Sequence, residues 1–230
     1  NVDHITRSSA QNLVHDIIEN SIKNNNMFLL NKEDIRSRRL LNRYICKYET
    51  IIGTSDDYSS VLLELARHSP SFPWEEKKCQ TFIGQYLDAQ NKHDLAIKYD
   101  LNEFNIKVQK LERTFVDKIY ALCDYQISKK LQRNSRHIYD LHKIINHINL
   151  DEKLVNLFYE IRKYRILNST CYSVQGDKQL NYYFECLIKE KTFKKDYNDV
   201  TKPLLYDNTK YEDCEKSLNL ILKFLKENNL

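Results

Sequence analysis

Two charged residues stand where amphipathic helices would be expected to carry apolar or fully solvated side chains. In the stretch RTFVDKIYALCDY (113–125), at about 100° per residue, Leu111, Phe115, Ile119 and Leu122 fall on one stripe and Lys118 lies at its edge. A lysine at such an edge either extends its ammonium to water or meets an acidic partner. In SRHIYDLHKI (135–144) and just beyond it, Ile138, Leu141, Ile145 and Ile148 make an apolar seam, while Arg136, Asp140 and Lys143 form a separate polar face. Two adjacent helices can therefore bring Lys118 and Asp140 together, as an interhelical salt bridge or as the charged floor of a site. A third charge is out of pattern in VLLEL (61–65), a nearly continuous apolar run interrupted by Glu64. Side chains alternate along a strand, so Leu62, Glu64 and Ala66 share one face. An ionised glutamate among them needs a metal, a lysine or water to answer it.

The wording of these stretches, R-T-F-x-x-K-I-x-A-L followed by S-R-H-x-Y-D-L, resembles the C-terminal half of the AbiEii/AbiGii-type nucleotidyltransferase toxins of bacterial toxin–antitoxin and phage-defence systems. The likeness extends upstream through VLLELARHSPSFPWEEKKCQTFIGQYL (61–87) and covers roughly residues 36 to 148. The resemblance implies transfer of a nucleotide from an NTP to an RNA acceptor, such as a tRNA, or to a protein hydroxyl. It also implies Mg²⁺ as cofactor and a cognate antitoxin as partner. Lys118 would meet the triphosphate as a compact point charge. Asp140 would fix that lysine or help activate the attacking hydroxyl, and Glu64 would be an additional metal-holding carboxylate. Arg136 and His137 become candidate contacts to phosphate or nucleic acid backbone, with Arg39 and Arg43 in the basic segment behind them.

One departure from the resembled pattern is serious. The family carries a short Gly-Gly/Ser turn followed by a D-x-D pair on a strand, and no D-x-D occurs in this sequence. Asp56 and Asp57 in GTSDD are adjacent and would point apart in an extended chain. With Asn1 first and Met27 the only methionine, the simplest expectation is that the missing motifs lie in an N-terminal segment absent here, and that these 230 residues alone are inactive. A degenerate relative is the second account. Two other classes compete. Arg136 and His142 have the R-x-five-H spacing of HEPN-type ribonucleases, in which an arginine steadies phosphorane charge and a histidine moves a proton. A non-catalytic helical module that binds RNA or protein through its arginine segment is the other.

Composition narrows the classes further. Forty-one per cent apolar residues, with sixteen Tyr and nine Phe, argue against a disordered chain. Three glycines and three prolines leave little room for tight hairpins or Gly-rich phosphate loops, so helices should dominate. The net charge of +4 permits nucleic acid without requiring it, and the local run Arg36, Arg38, Arg39, Arg43 and Lys47 is more strongly basic than the whole. Six cysteines without a C-x-x-C indicate neither a zinc site nor a disulfide framework. His137, His142 and His147 recur every five residues and so spread around a helix instead of stacking as metal ligands. No apolar run approaches the length of a membrane span and no leader pattern opens the chain, which points to a cytoplasmic protein.

The elements that must position these residues follow from periodicity. A helix is predicted from Ser9 to Lys23 behind a Ser8/Ser9 cap, ending at Asn24–Asn26. Strands are predicted over 43–52 and 61–66 as an antiparallel hairpin, and over 104–108. Helices are predicted over 75–89 with Phe82, Ile83, Tyr86 and Leu87 inward, then 94–99, 112–129, 136–148, 151–166, 179–190 and 212–227. The fold class is therefore α+β: a partial, α/β-like nucleotidyltransferase core over residues 1–111, followed by a mainly helical C-terminal domain over 112–230.

Overall fold

Three asparagines end the first helix, as their turn propensity requires. In the computed structural model, which describes residues 2–38, 41–49, 59–66 and 72–230, helix α1 spans Val2–Lys23 and Asn24 opens a turn. It begins earlier than predicted, so Ser8 and Ser9 lie inside the helix instead of capping it. Serine is only mildly unfavourable there, and no breaker precedes it. Strands β1 (Ile35–Arg38), β2 (Leu41–Lys47) and β3 (Ser60–Ala66) form an antiparallel sheet in that order. The β2–β3 pairing is the predicted hairpin, although β2 stops at Lys47 and residues 50–52 lie outside the described part. β1 was not expected, because its arginines mask a period-two pattern. Its identity as an edge strand comes from its ladder with β2, in the register Ile35 to Tyr44 and Arg36 to Arg43. Tyr44 and Cys46 on one face of β2 are buried with Ile22 of α1, and Ile18, Phe28, Leu30 and Ile35 pack around them.

By internal contact the chain divides into two compact units, Asn1–Pro70 and Ser71–Leu230. The second opens with β4 (Trp74–Cys79), antiparallel to β5 (Phe104–Gln109) with Trp74 opposite Gln109 and Cys79 opposite Phe104. This corrects the predicted helix over 75–89. WEEKKC is rich in helix formers, but pairing with β5 overrides that weak local preference. Only Phe82–Ala89 is helical (α2), capped by Thr81, whose hydroxyl accepts the Gly84 N–H at 3.0 Å. Its inward face also differs from the expectation. Phe82, Ile83 and Tyr86 are exposed, and Gly84 is the buried residue. A Cβ at Gly84 would stand 2.3 Å from the Leu101 carbonyl oxygen, so this close approach requires glycine. Helix α3 covers His93–Lys98.

From residue 110 onward the described chain is helical, as predicted: α4 (Leu111–Ser128), α5 (Arg136–Ile144), α6 (Glu152–Arg165), α7 (Leu180–Lys189), α8 (Lys194–Asp196) and α9 (Tyr211–Glu227). A 3₁₀ turn, Ile145–His147, extends α5, and α8 runs into a π turn, Tyr197–Thr201. Phe115, Ile119 and Leu122 of α4, Ile138 and Leu141 of α5, Phe158 of α6, Leu187 of α7, and Leu218, Ile221 and Leu225 of α9 are completely buried in one core. Each contributes about 1.5–3 kcal/mol through burial. α4 packs on α5 and α7, and α5 on α9. The predicted seams therefore hold, except that Leu111 is exposed at the helix start. All six cysteines are free thiols.

Candidate functional site

The helix that carries Lys118 is fixed first at its entry. Arg113, 1% exposed, donates from Nη1 to the Phe72 carbonyl at 2.5 Å and from Nε to Asp117 at 2.9 Å. Gln109 adds a bond to the same Asp117 carboxylate at 3.1 Å, and the Lys110 N–H donates to the Pro73 carbonyl at 3.0 Å. A buried guanidinium is tolerated only with partners of this kind, and here they lock β4, β5 and α4 to one another.

One turn further along α4, Lys118 Nζ donates to Asp140 Oδ2 at 2.6 Å. The lysine side chain is 19% exposed and the aspartate 35%, so the pair sits at a partly open seam between α4 and α5. The contact inferred from spacing is thus present. It lies beside His137, whose ring stacks on Tyr125 with centroids 5.8 Å apart and planes 14° from parallel. His137 Nδ1 is buried without a hydrogen-bond partner among the described residues. Burial, with the Lys118 and Arg136 charges acting the same way and Asp140 opposing them, lowers its pKa to about 4. The imidazole is neutral at neutral pH and cannot act there as a cationic phosphate contact. Arg136 is exposed at the first position of α5.

The start of α5 is capped from a distance. Ser135 makes no side-chain cap of its own. Asp196, at the end of α8, accepts the Arg133 N–H at 2.8 Å and the Ser135 N–H at 3.0 Å. Desolvation opposes it, but the Ser135 side chain together with these backbone N–H groups holds the Asp196 carboxyl below its usual range. Ser135 Oγ also bonds Thr201 Oγ1 at 2.7 Å inside the core. An aspartate at that terminus complements the helix dipole and satisfies otherwise unpaired donors.

Glu64 lies in the first unit. Its carboxylate is paired with the Arg43 guanidinium directly opposite on β2. Arg39 and the GTSDD segment lie outside the described residues. Among the described residues, no three His, Cys, Asp or Glu side chains gather as a metal site. Hard divalent cations take several oxygen ligands. Glu64, held by an arginine, does not make such a site by itself.

Residues 14–219 match the family model described as the nucleotidyl transferase AbiEii toxin of type IV TA systems. The chain belongs to the AbiEii family. No curated protein and no solved structure matches it.

In this AbiEii-family chain, His142 makes an interhelical bond: its Nδ1 meets Ser217 Oγ of α9 at 2.8 Å, and burial lowers its pKa. Sequence reasoning missed three features around the site. The Asp196 cap and the Tyr125 stack have no local signature. The third is a buried staple in which Asp124 accepts Arg165 Nη2 at 2.5 Å and the Ser173 N–H at 2.7 Å, while the Arg165 guanidinium lies 4.8 Å from the Tyr120 ring centroid. Only an unusual Asp on the inner part of an α4 pattern hinted at it. No helix among the described residues is long and apolar enough to cross a membrane.

Proposed function

We propose that this chain acts in transfer of a nucleotide from an NTP to an RNA acceptor, with Lys118 meeting the triphosphate and Asp140 holding the lysine in place. The observation that supports this reading is the 2.6 Å Lys118–Asp140 contact at a partly open helix seam, in a chain of the nucleotidyl transferase AbiEii toxin family. In the reaction an acceptor hydroxyl attacks the α-phosphorus, an O–P bond forms, pyrophosphate leaves with the electrons of the broken P–O bond, and the hydroxyl proton passes to solvent water. Negative charge grows on the departing phosphates, and a lysine ammonium beside them lowers the barrier. Asp140 serves by orientation: the ammonium is fixed by a charge-assisted bond to a helix whose own start is capped by Asp196. His137 stays neutral and adds no second positive charge that would draw Asp140 away from Lys118.

Magnesium is implied by the family likeness and would supply charge neutralisation at the phosphates. Among the described residues, no group of three His, Cys, Asp or Glu side chains assembles a site for it. A cognate antitoxin is the regulatory partner that type IV membership suggests. The test is transfer of label from each α-³²P NTP to total cellular RNA by the protein expressed from its complete reading frame, with Mg²⁺, beside an Asp140→Asn control. Label that depends on Asp140 supports the reading and names the donor. Equal labelling by the folded Asp140→Asn protein overturns the site.

A further inference from the structure

The open face of the three-stranded sheet carries a charge arrangement that its own residues leave incomplete. Arg36 of β1 stands directly opposite Arg43 of β2, and Arg43 directly opposite Glu64 of β3, so one rung reads Arg, Arg, Glu across the sheet. Side chains on one rung share a face, and this face is the one turned away from Tyr44 and Cys46, which build the core of the unit. All three are exposed. Glu64 pairs with Arg43, and among the described residues Arg36 has no ion pair. Lys47, two rungs along the same face, is already taken by the buried Asp34 at 2.8 Å. From Ile35 to Tyr48 the sequence holds five basic residues (Arg36, Arg38, Arg39, Arg43, Lys47) and no acidic one.

Like charges directly opposite each other destabilise an antiparallel pair. Two guanidiniums side by side, with one carboxylate beyond them on the edge strand β3, leave a net positive rung that suits a bound anion. Guanidinium forks match phosphate oxygens in pairs, which a lysine cannot do. Ile45 and Leu62, paired on the next rung of the same face, flank the charged rung with apolar surface. Backbone phosphates repeating along a single strand fit such a surface better than one compact anion does.

We propose that Arg36 and Arg43 form a phosphate clamp for the backbone of the RNA acceptor, with Glu64 half-neutralising the clamp when it is empty. The proposal rests on RNA being the acceptor in the reading above. Glu64 acts here on Arg43 and not on a metal: the carboxylate competes with RNA phosphate for one guanidinium, and RNA binding displaces it.

The experiment measures anisotropy of a labelled single-stranded RNA with the whole chain, without NTP and with a metal chelator, over about 50 to 200 mM salt. The wild-type protein is expected to bind with a steep salt dependence. Arg36→Gln with Arg43→Gln should weaken binding on the order of tenfold at the lowest salt and reduce the log–log slope by about 1.4, at roughly 0.7 per lost single-strand phosphate contact. Glu64→Gln should tighten binding by about threefold, since it removes the competing charge. Glutamine at exposed strand positions keeps the sheet intact, and relief of the Arg36–Arg43 repulsion should leave the melting temperature of the double variant unchanged or raised. A double variant that keeps both affinity and slope overturns the clamp, and so does Glu64→Gln binding that is unchanged or weaker. An active transferase with such RNA binding would sink the clamp and leave the proposed reaction standing. Clamp-dependent binding in a protein that transfers no label would do the reverse.

Discussion

Replacing His137 with phenylalanine should remove much of the acid sensitivity of this fold. The ring stacks on Tyr125 and its pKa is lowered to about 4, chiefly by burial, whereas an unfolded chain titrates its histidines near 6.5. The unfolded state therefore takes up the proton first as pH falls. His137 costs the fold nothing above the unfolded value, costs progressively more below it, and reaches its full effect only below the folded value. The span of about 2.5 units corresponds to roughly 3.4 kcal/mol at the limit, and at pH ~5 about 2 kcal/mol of that is already lost. His142, also lowered by burial, adds to the wild-type loss with the same sign, so the single variant is what isolates His137. Phenylalanine keeps an aromatic face against Tyr125 and carries no proton. The measurement is the urea midpoint at neutral pH and near pH 5 for both proteins, with unchanged m-values as the condition for comparison. If wild type and His137→Phe lose equal stability over that interval, the imidazole is not held neutral by its surroundings and the account of the α4–α5 seam fails.

In the protein expressed from its complete reading frame, Lys118→Ala should cut nucleotide transfer by on the order of 10²-fold or more, the scale set by removing one preorganised charge from a developing anion, while leaving circular dichroism unchanged. Asp196→Ala removes the carboxylate that accepts the Arg133 and Ser135 N–H groups, and should cost about 1–2 kcal/mol in chemical denaturation, as loss of a helix cap does. Asp124→Ala strands Arg165, whose side chain is 16% exposed, and should destabilise the fold by about 3–5 kcal/mol; a cost under about 1 kcal/mol would show the staple to be dispensable.

How much of this was legible in the sequence depends on the range of the interaction. Helices α4 to α7 and α9 announce themselves through apolar positions at helical spacing, because burial of one stripe is what forms them. The same arithmetic placed Lys118 and Asp140 on facing edges, 22 residues apart along the chain. β4 was misread because Glu75, Glu76, Lys77 and Lys78 are locally helical residues, and the strand exists only through its ladder to β5 about 30 residues later. β1 was hidden for a similar reason, since an edge strand needs no apolar alternation on its open face. The exposed Phe82, Ile83 and Tyr86 show the opposite failure: the helical pattern is there, but Gly84 approaches the Leu101 carbonyl and turns that face outward. Asp196 gives no signal at all, because its partners are backbone N–H groups more than 60 residues upstream.

The Lys118–Asp140 pair itself invites a last test, because an ion pair at a helix seam has two possible reasons to exist. Taken as a stabilising device it is a poor one. Partial exposure weakens the attraction by solvent screening, partial burial makes both ions lose hydration, and fixing a long lysine side chain costs entropy. Apolar residues of similar length at both positions would join Phe115 and Ile119 on one side and Leu141 on the other, all completely buried. Lys118→Met combined with Asp140→Leu should therefore fold, with stability within about 1 kcal/mol of the wild type. Each single change leaves one ion without its partner and should be the less stable protein. Transfer of nucleotide should be lost in the double variant despite its intact fold, since no ammonium remains to meet the phosphates. If the double variant unfolds while both single variants remain folded and active, the pair is a structural clasp and the catalytic reading of this seam is wrong.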